Sequence, residues 1–404
     1  LLYQNGEYFD PNKIEKSKRR LKETGIYSLI NITPVKVSDS DSLVNVVLTL
    51  SEFKQREWLS VGGFEPIEFY EGLDPLPSLG GFIEWRNRSI FNTNSNFSTK
   101  FLIGFPWETN FNLPRLRYDI GFDTNWILGV RWPTKLNSFY ETLINYDQEN
   151  IDQVERYGLE MLQRVMLDER SYFQNITVWE NFSDNSVNAM DTSGVLNTII
   201  SVKNLQQRSL SFRLHIDKKD DPLFPKKGFL LDLYFKSTGY FLGGERDYYK
   251  LDFSFQKYFK LSRKSVLATR FKFGRLWSWE DSYLDYSYEK FYLGGSANMR
   301  GWDILKYSTT NNLGDVPLGG TFRYLTNIEF RNQLNQNLGM YLFFDGGILS
   351  EDFDRLIKSR LGWDIGLGLT ISTPLGPVRL DYAIPNINNE VILRNGKFNF
   401  GVQY

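Results

Sequence analysis

From about Glu57 to Tyr404 apolar and polar residues alternate with a period of two. Leu210, Phe212, Leu214 and Ile216 are interleaved with Ser211, Arg213 and His215. Phe229, Leu231, Leu233 and Phe235 oppose a face carrying Asp232 and Lys236, and Leu251, Phe253 and Phe255 oppose Asp252, Ser254 and Gln256. Phe322, Tyr324, Ile328 and Phe330 oppose Arg323, Asn327, Glu329 and Arg331, and the pattern returns in Ile365–Ile371, Val378–Tyr382 and Phe398–Tyr404. Because successive side chains of a strand point to opposite faces, this predicts strands between an apolar and a polar medium. Residues 141–170 break the rhythm and read as turns, loops or a broken strand pair.

Residues 1–56 have a different texture. Asp10-Pro11 predicts a helix start, an N-cap followed by proline in the first turn, and Gly25 its end. Between them Lys13, Lys16, Lys18, Arg19 and Arg20 surround Ile14 and Leu21, a pattern suited to a solvated helix face. Two strands are expected next, Ile30–Val37 and Leu43–Leu50, joined by a turn at residues 38–42. One helix and a hairpin make too small a core to stand alone, so this module should continue a domain that begins earlier.

A packed core in a sandwich or propeller could supply the apolar medium, but no fixed-period repeat of the propeller type is present. A lipid bilayer is the other candidate, and charges on nearly every polar face suit a water-filled lumen better than a thin surface sheet. At roughly 20–24 residues per strand and turn, residues 57–404 yield about 14–18 strands. The fold expected is all-β: a transmembrane antiparallel β-barrel of about 16 strands.

Composition narrows the chemistry. Forty-seven basic residues against 48 acidic ones leave a net charge of −1, without the concentrated basic field that nucleic-acid binding needs. The chain has no cysteine and one histidine, His215, which excludes thiolate metal sites and makes a His-rich metal site or a Ser-His-Asp triad a poor expectation. No metal, cofactor or catalytic residue is expected. The chain opens at Leu1 without a secretory leader pattern, so the leader is expected to have been removed or the chain to be a fragment.

Three segments carry more than alternation. Leu293-Gly294-Gly295-Ser296-Ala297-Asn298-Met299-Arg300-Gly301-Trp302 describes a tight loop presenting an arginine. In Phe343-Phe344-Asp345-Gly346-Gly347, Asp345 faces inward if Met340, Leu342 and Phe344 face lipid. The strand Phe322–Arg331 presents Glu329 on its polar face. A carboxylate inside a barrel needs a partner. On spacing alone, either Arg300 pairs with Asp345 and Glu329 through its planar fork, or all three are lumen residues in water.

These segments resemble the BamA/TamA superfamily of outer-membrane assembly proteins, which also includes two-partner secretion translocators and organellar relatives. The Arg300-Gly301-Trp302 loop and the Phe343-x-Asp345-x-Gly347 strand end are its most specific matches, although Trp302 stands where the family more often has Phe or Tyr. Asp217…Asp221…Pro225…Gly228, Thr373–Tyr382, Asn87–Phe91 and the closing Phe398–Tyr404 are similar to family segments in the same order. Residues 8–56 resemble the last part of a periplasmic POTRA domain, which gives a division into 1–56 and 57–404.

The resemblance implies a 16-stranded barrel in the bacterial outer membrane, with the POTRA part in the periplasm. It implies a lid loop anchored by Arg300, Gly301 and Trp302 against Asp345 and, secondarily, Glu329. It further implies a lateral seam between the strand with Trp58, Gly62 and Gly63 and the strand with Phe398, Phe400, Gly401 and Tyr404. Glycines there would weaken side-chain packing, and opened edges could template an incoming strand. The expected function is insertion of unfolded outer-membrane proteins, without covalent chemistry. Outer-membrane lipids are expected partners, with accessory lipoproteins or periplasmic proteins reached through POTRA domains. The alternatives are a two-partner secretion translocator, the barrel module of a patatin-like lipase fusion, or a plain porin. No Gly-x-Ser-x-Gly elbow lies within this chain, so the chain itself is not the lipase.

Overall fold

The computed structural model describes the chain apart from residues 38–42, 68–75, 91–94, 107–113, 128–129, 147–150, 188–199, 280–288, 308–318, 336, 351–360, 374–375, 388–389, 392–395 and 403–404. Helix α1 (Pro11–Glu23) starts where the Asp10 side chain accepts the Asn12 N–H at 2.9 Å, and Pro11 occupies the first turn. It ends at Thr24, before Gly25 at φ +66°. Ile14 and Ser17 are its buried residues. Strands β1 (Tyr27–Lys36) and β2 (Val44–Glu52) pair antiparallel. Both reach further toward the barrel than the sequence pattern suggested, because a bulge between Tyr27 and Leu29 lets Tyr27 still pair with Glu52. The turn expected at 38–42 lies outside the described residues.

The remaining strands form one closed antiparallel ring. They are β3 (Arg56–Ile67), β4 (Leu76–Asn87), β5 (Ser95–Pro106), β6 (Arg115–Ile127), β7 (Val130–Tyr146), β8 (Ile151–Met166), β9 (Tyr172–Val187) and β10 (Ile200–Asp217) in the first half. The second half holds β11 (Gly228–Thr238), β12 (Tyr248–Lys260), β13 (Ser265–Trp277), β14 (Phe322–Gln333), β15 (Leu338–Ser350), β16 (Gly362–Thr373), β17 (Gly376–Ile387), the two-residue β18 (Glu390–Val391) and β19 (Lys397–Val402). With β18 only a short hairpin arm on β17, the ring has 16 strands, and it closes between β19 and β3. No helix among the described residues is long and apolar enough to cross a membrane; the strands carry the apolar surface instead.

Alternation sorts the faces as expected for most of the ring. Ile328, Phe330, Leu342, Leu367 and Leu369 are exposed outward, while Asn327, Glu329, Asp345, Asp364 and Asp381 are buried on the inner side. Residues 141–170, read from sequence as turns or a broken pair, are mostly strand, shared by β7 and β8. Their polarity belongs to a lumenal ladder of charges. Arg117 Nη1 donates to Glu141 Oε2 at 2.6 Å, and Arg156 Nε lies 2.6 Å from Glu180 Oε2.

Where the chain passes from the small module into the ring, Arg88 clasps the connection. Its Nη2 donates to Glu57 Oε1 and its Nη1 to the Lys54 carbonyl at 3.3 Å, while its guanidinium lies 4.4 Å from the Phe53 ring centre. Arg19 of α1 donates to the carbonyl of Leu167, in the turn between β8 and β9, at 3.0 Å.

Candidate functional site: the inward loop and the ring closure

Residues 289–307, between β13 and β14, turn into the lumen and fold on themselves. Gly294 and Gly295 have φ of +111° and +97°, a region that side chains with a Cβ avoid. Their turn lets Gly295 N–H donate to both the Met299 and Trp302 carbonyls, at 3.1 and 3.0 Å. The Asn298 side-chain oxygen accepts from Gly294 N–H and Met299 N–H, each at 2.7 Å. These bonds fix residues 294–302 as a compact apex. Trp302 packs edge-on against Tyr307 at 5.0 Å, and both join Leu293, Met299, Leu325 and Leu349 in a buried cluster. Tryptophan thus fills, as a bulky aromatic, the place where the family that the sequence resembles more often has Phe or Tyr.

Arg300 leaves this apex and meets the wall. Its Nε and Nη2 donate to Asp345 Oδ2 and Oδ1 at 2.8 and 2.7 Å, a two-point fork, and its Nη1 donates to Glu329 Oε1 at 2.8 Å. The guanidinium lies 3.5 Å from the Phe343 ring centre. Arg300 is 3% exposed and Asp345 fully buried, so each charge depends on the other for the solvation it has lost. Of the two arrangements that spacing left open, the three residues are paired.

Further partners join these three that motif spacing does not single out. Asn327 donates to Asp345 Oδ1 and to the Asn298 carbonyl, both at 2.7 Å. Glu329 also accepts from Arg331 and Arg379, at 2.7 and 2.8 Å. Asp364 accepts the Gly301 N–H at 3.0 Å, and Asn399 donates to the Arg300 carbonyl at 2.7 Å. All lie at inward positions of alternating strands. That was their available signal, shared with many other polar residues.

The glycines of both motifs have a steric reason. A Cβ on Gly347 would lie 2.5 Å from Met299 Sδ, and one on Gly301 would lie 2.8 Å from Asp364 Cβ and 2.9 Å from Pro385 Cβ. Loop and wall therefore meet so closely that a side chain on either glycine would force its neighbours to shift. A second tether sits on the opposite flank. Glu289 accepts from Lys236 at 2.7 Å, from Lys250 at 3.1 Å and from the Tyr248 hydroxyl at 2.8 Å, all buried.

At the closure, Trp58 of β3 pairs with Trp85, Gly62 with Gly81 and Gly63 with Gly80. By that register Leu59 and Val61 are on the inner face of β3, opposite Glu84 and Phe82, an exception to the polar lumen. Phe398 and Phe400 of β19 are exposed, and Gly401 pairs with Arg379 of β17. Tyr404 lies outside the described residues.

The model of the Omp85 superfamily domain matches residues 88–403, well over half of the chain. The chain belongs to the Omp85 superfamily. It is 22% identical over 400 residues to the outer membrane protein assembly factor BamA of Neorickettsia risticii, covering 95% of this chain and 49% of that protein. To BamA of Nitratidesulfovibrio vulgaris it is 26% identical over 215 residues, covering 50% and 26%. It thus spans about half, or less, of the length of these curated relatives. Its fold is similar to BamA from Haemophilus ducreyi lacking POTRA domains 1–3, with a TM-score of 0.68, 16% identity and coverage of 98% and 79%. It is also similar to CdiB from Acinetobacter baumannii, with a TM-score of 0.55, 12% identity and coverage of 100% and 70%. This Omp85 barrel belongs in the bacterial outer membrane, where its outward apolar face meets lipid.

Proposed function

We propose that this Omp85 barrel, with the adjoining POTRA part at residues 1–56, is the membrane portion of a BamA-like or TamA-like assembly factor. It accepts unfolded outer-membrane proteins from the periplasm and lowers the barrier to their insertion, with no bond made or broken. Outer-membrane lipids surround it, and POTRA domains would recruit accessory lipoproteins or periplasmic partners. Arg300, Gly301 and Trp302 anchor the lid, with Asp345 as main acceptor and Glu329 as second.

The observation that carries this reading is the asymmetry of the closure. Among the described residues the last strand, β19, has six residues, while β3 and β17 on either side have 12 each. A short closing strand forms fewer ladder bonds, and Gly62, Gly63 and Gly401 add little side-chain packing. Such a join parts more readily than one between two long strands, and parting it would expose a strand edge that can template another. The lid, held by buried charges, keeps the lumen filled meanwhile.

The likeness to CdiB gives a second reading, a two-partner secretion translocator that passes a protein through the lumen. Reconstitution of the full-length protein in liposomes separates the two. Faster folding of an unfolded outer-membrane barrel than in empty liposomes supports assembly. Passage of a soluble protein without such acceleration supports secretion and rejects the assembly reading.

A further inference from the structure

The last strand is tied to the lid as well as to its neighbour in the ring. Phe398 and Phe400 face outward, which turns Lys397 and Asn399 inward. Asn399 Nδ2 donates to the Arg300 carbonyl at 2.7 Å, and Lys397 Nζ lies 2.8 Å from Asp303 Oδ1. That Arg300 carbonyl is a fixed target. The Arg300 side chain is forked onto Asp345, its own N–H points at Asp345 Oδ2 at 3.3 Å, and the next N–H, of Gly301, binds Asp364 at 3.0 Å. Asn399 thus bonds to a peptide unit held by β15 and β16. The Lys397–Asp303 pair is exposed on both sides, and such pairs contribute little.

We propose that Asn399 is a positioning residue through which the seated lid holds the last strand at the seam. Release of the lid and loosening of β19 are then one event. Among the described residues β19 has six pairs on the β17 side, from Val378–Val402 to Ala383–Lys397, and the bond from Asn399 adds a restraint at its centre. A lid displaced by an entering chain withdraws that bond and leaves β19 to its contacts with the neighbouring strands. The inference rests on the seam reading above, since it takes β19 to be the moving edge. Its test needs no client, so it fails or stands separately from the assembly reading.

The test is hydrogen exchange at backbone amides 397–402 of the full-length protein in lipid nanodiscs. Asn399→Leu keeps the volume and removes the donor, and should raise exchange there about fivefold, as the loss of one hydrogen bond implies. Amides of β14–β16 should be unchanged. Lys397→Met should alter exchange by less than about twofold. Arg300→Lys, which loosens the lid without removing its charge, should raise exchange at 397–402 as well. The double variant Asn399→Leu/Arg300→Lys should show no more than the larger single effect. Unchanged exchange in Asn399→Leu, an equal rise across β14–β16, or multiplied effects in the double variant would each overturn the proposal.

Discussion

Arg300→Ala is the most informative single perturbation of the lid. It removes three side-chain bonds, but its two acceptors are left in different circumstances. Glu329 keeps Arg331 and Arg379, so its charge stays compensated. Asp345 keeps the Asn327 amide and the backbone N–H of residue 300, neither of them charged, and is fully buried, so the cost falls there. Removing one partner of a buried ion pair costs about 3–5 kcal/mol. A cavity of about 130 Å³ adjoins the space that Arg300 would vacate, and water entering that space would partly solvate the stranded carboxylate, which puts the expectation near the lower end, about 3 kcal/mol. That corresponds to roughly a hundredfold shift between seated and released lid. Hydrogen exchange of amides 293–305 should rise by about that factor while β11–β13 stay protected. Adding Asp345→Asn to Arg300→Ala should recover much of the protection, because it removes the stranded charge. Unchanged lid exchange in Arg300→Ala, or a double variant worse than the single, would refute the reasoning.

Other consequences can be checked in the same preparations. Gly301→Ala forces a methyl against Asp364 Cβ and Pro385, and should destabilise the seated lid by about 1–3 kcal/mol in the same exchange experiment. Arg88→Ala should broaden spin-label distances between α1 and the barrel, and Arg88→Lys should not restore them, since a point charge cannot serve Glu57 and the Lys54 carbonyl together. In the turn between β8 and β9, burial pushes the Asp168 carboxyl up, but hydrogen bonds from Lys218 and from the Arg170 and Ser171 amides outweigh it and hold it below the usual carboxylate range. A depressed value means that its contribution is complete above the unfolded value near pH 4 and is lost as pH falls through the folded one. Protection of the Ser171 amide should therefore be flat from pH 7 to about pH 5 and fall in stronger acid, and Asp168→Asn should remove that fall.

The barrel was legible because lipid imposes the same alternation on every strand that it touches, and Leu210–Ile216 or Phe322–Arg331 need no partner to display it. The helix was legible for a local reason, Asp10 and Pro11 at its start and Gly25 past its end. Residues 141–170 were not, because Glu141, Glu155, Arg156 and Glu160 make the segment look loop-like until charges from β6 and β9 stand opposite them. In the site, Arg300, Asp345 and Glu329 stood out through motif spacing and inward phase. Asn327, Asp364 and Asn399 did not, because hydrogen bonding to a loop some 30 to 100 positions away leaves no periodic trace in sequence. The inner face of β3 shows the opposite limit: Leu59 and Val61 depart from the lumen rule beside the closure, where alternation alone would have called for polar residues.

In the function proposed above, the join between β3 and β19 parts to admit a client. The chain has no cysteine of its own, so single cysteines at positions 398–402 can be scanned against one at Ser60 until a pair oxidises across the join. The full-length protein carrying that pair, in liposomes, is then given an unfolded outer-membrane barrel, and the folding rate is compared before and after reduction. Our account predicts folding no faster than in empty liposomes while the bond is intact, and acceleration restored on reduction. Equal acceleration with the cross-link fully formed would contradict it.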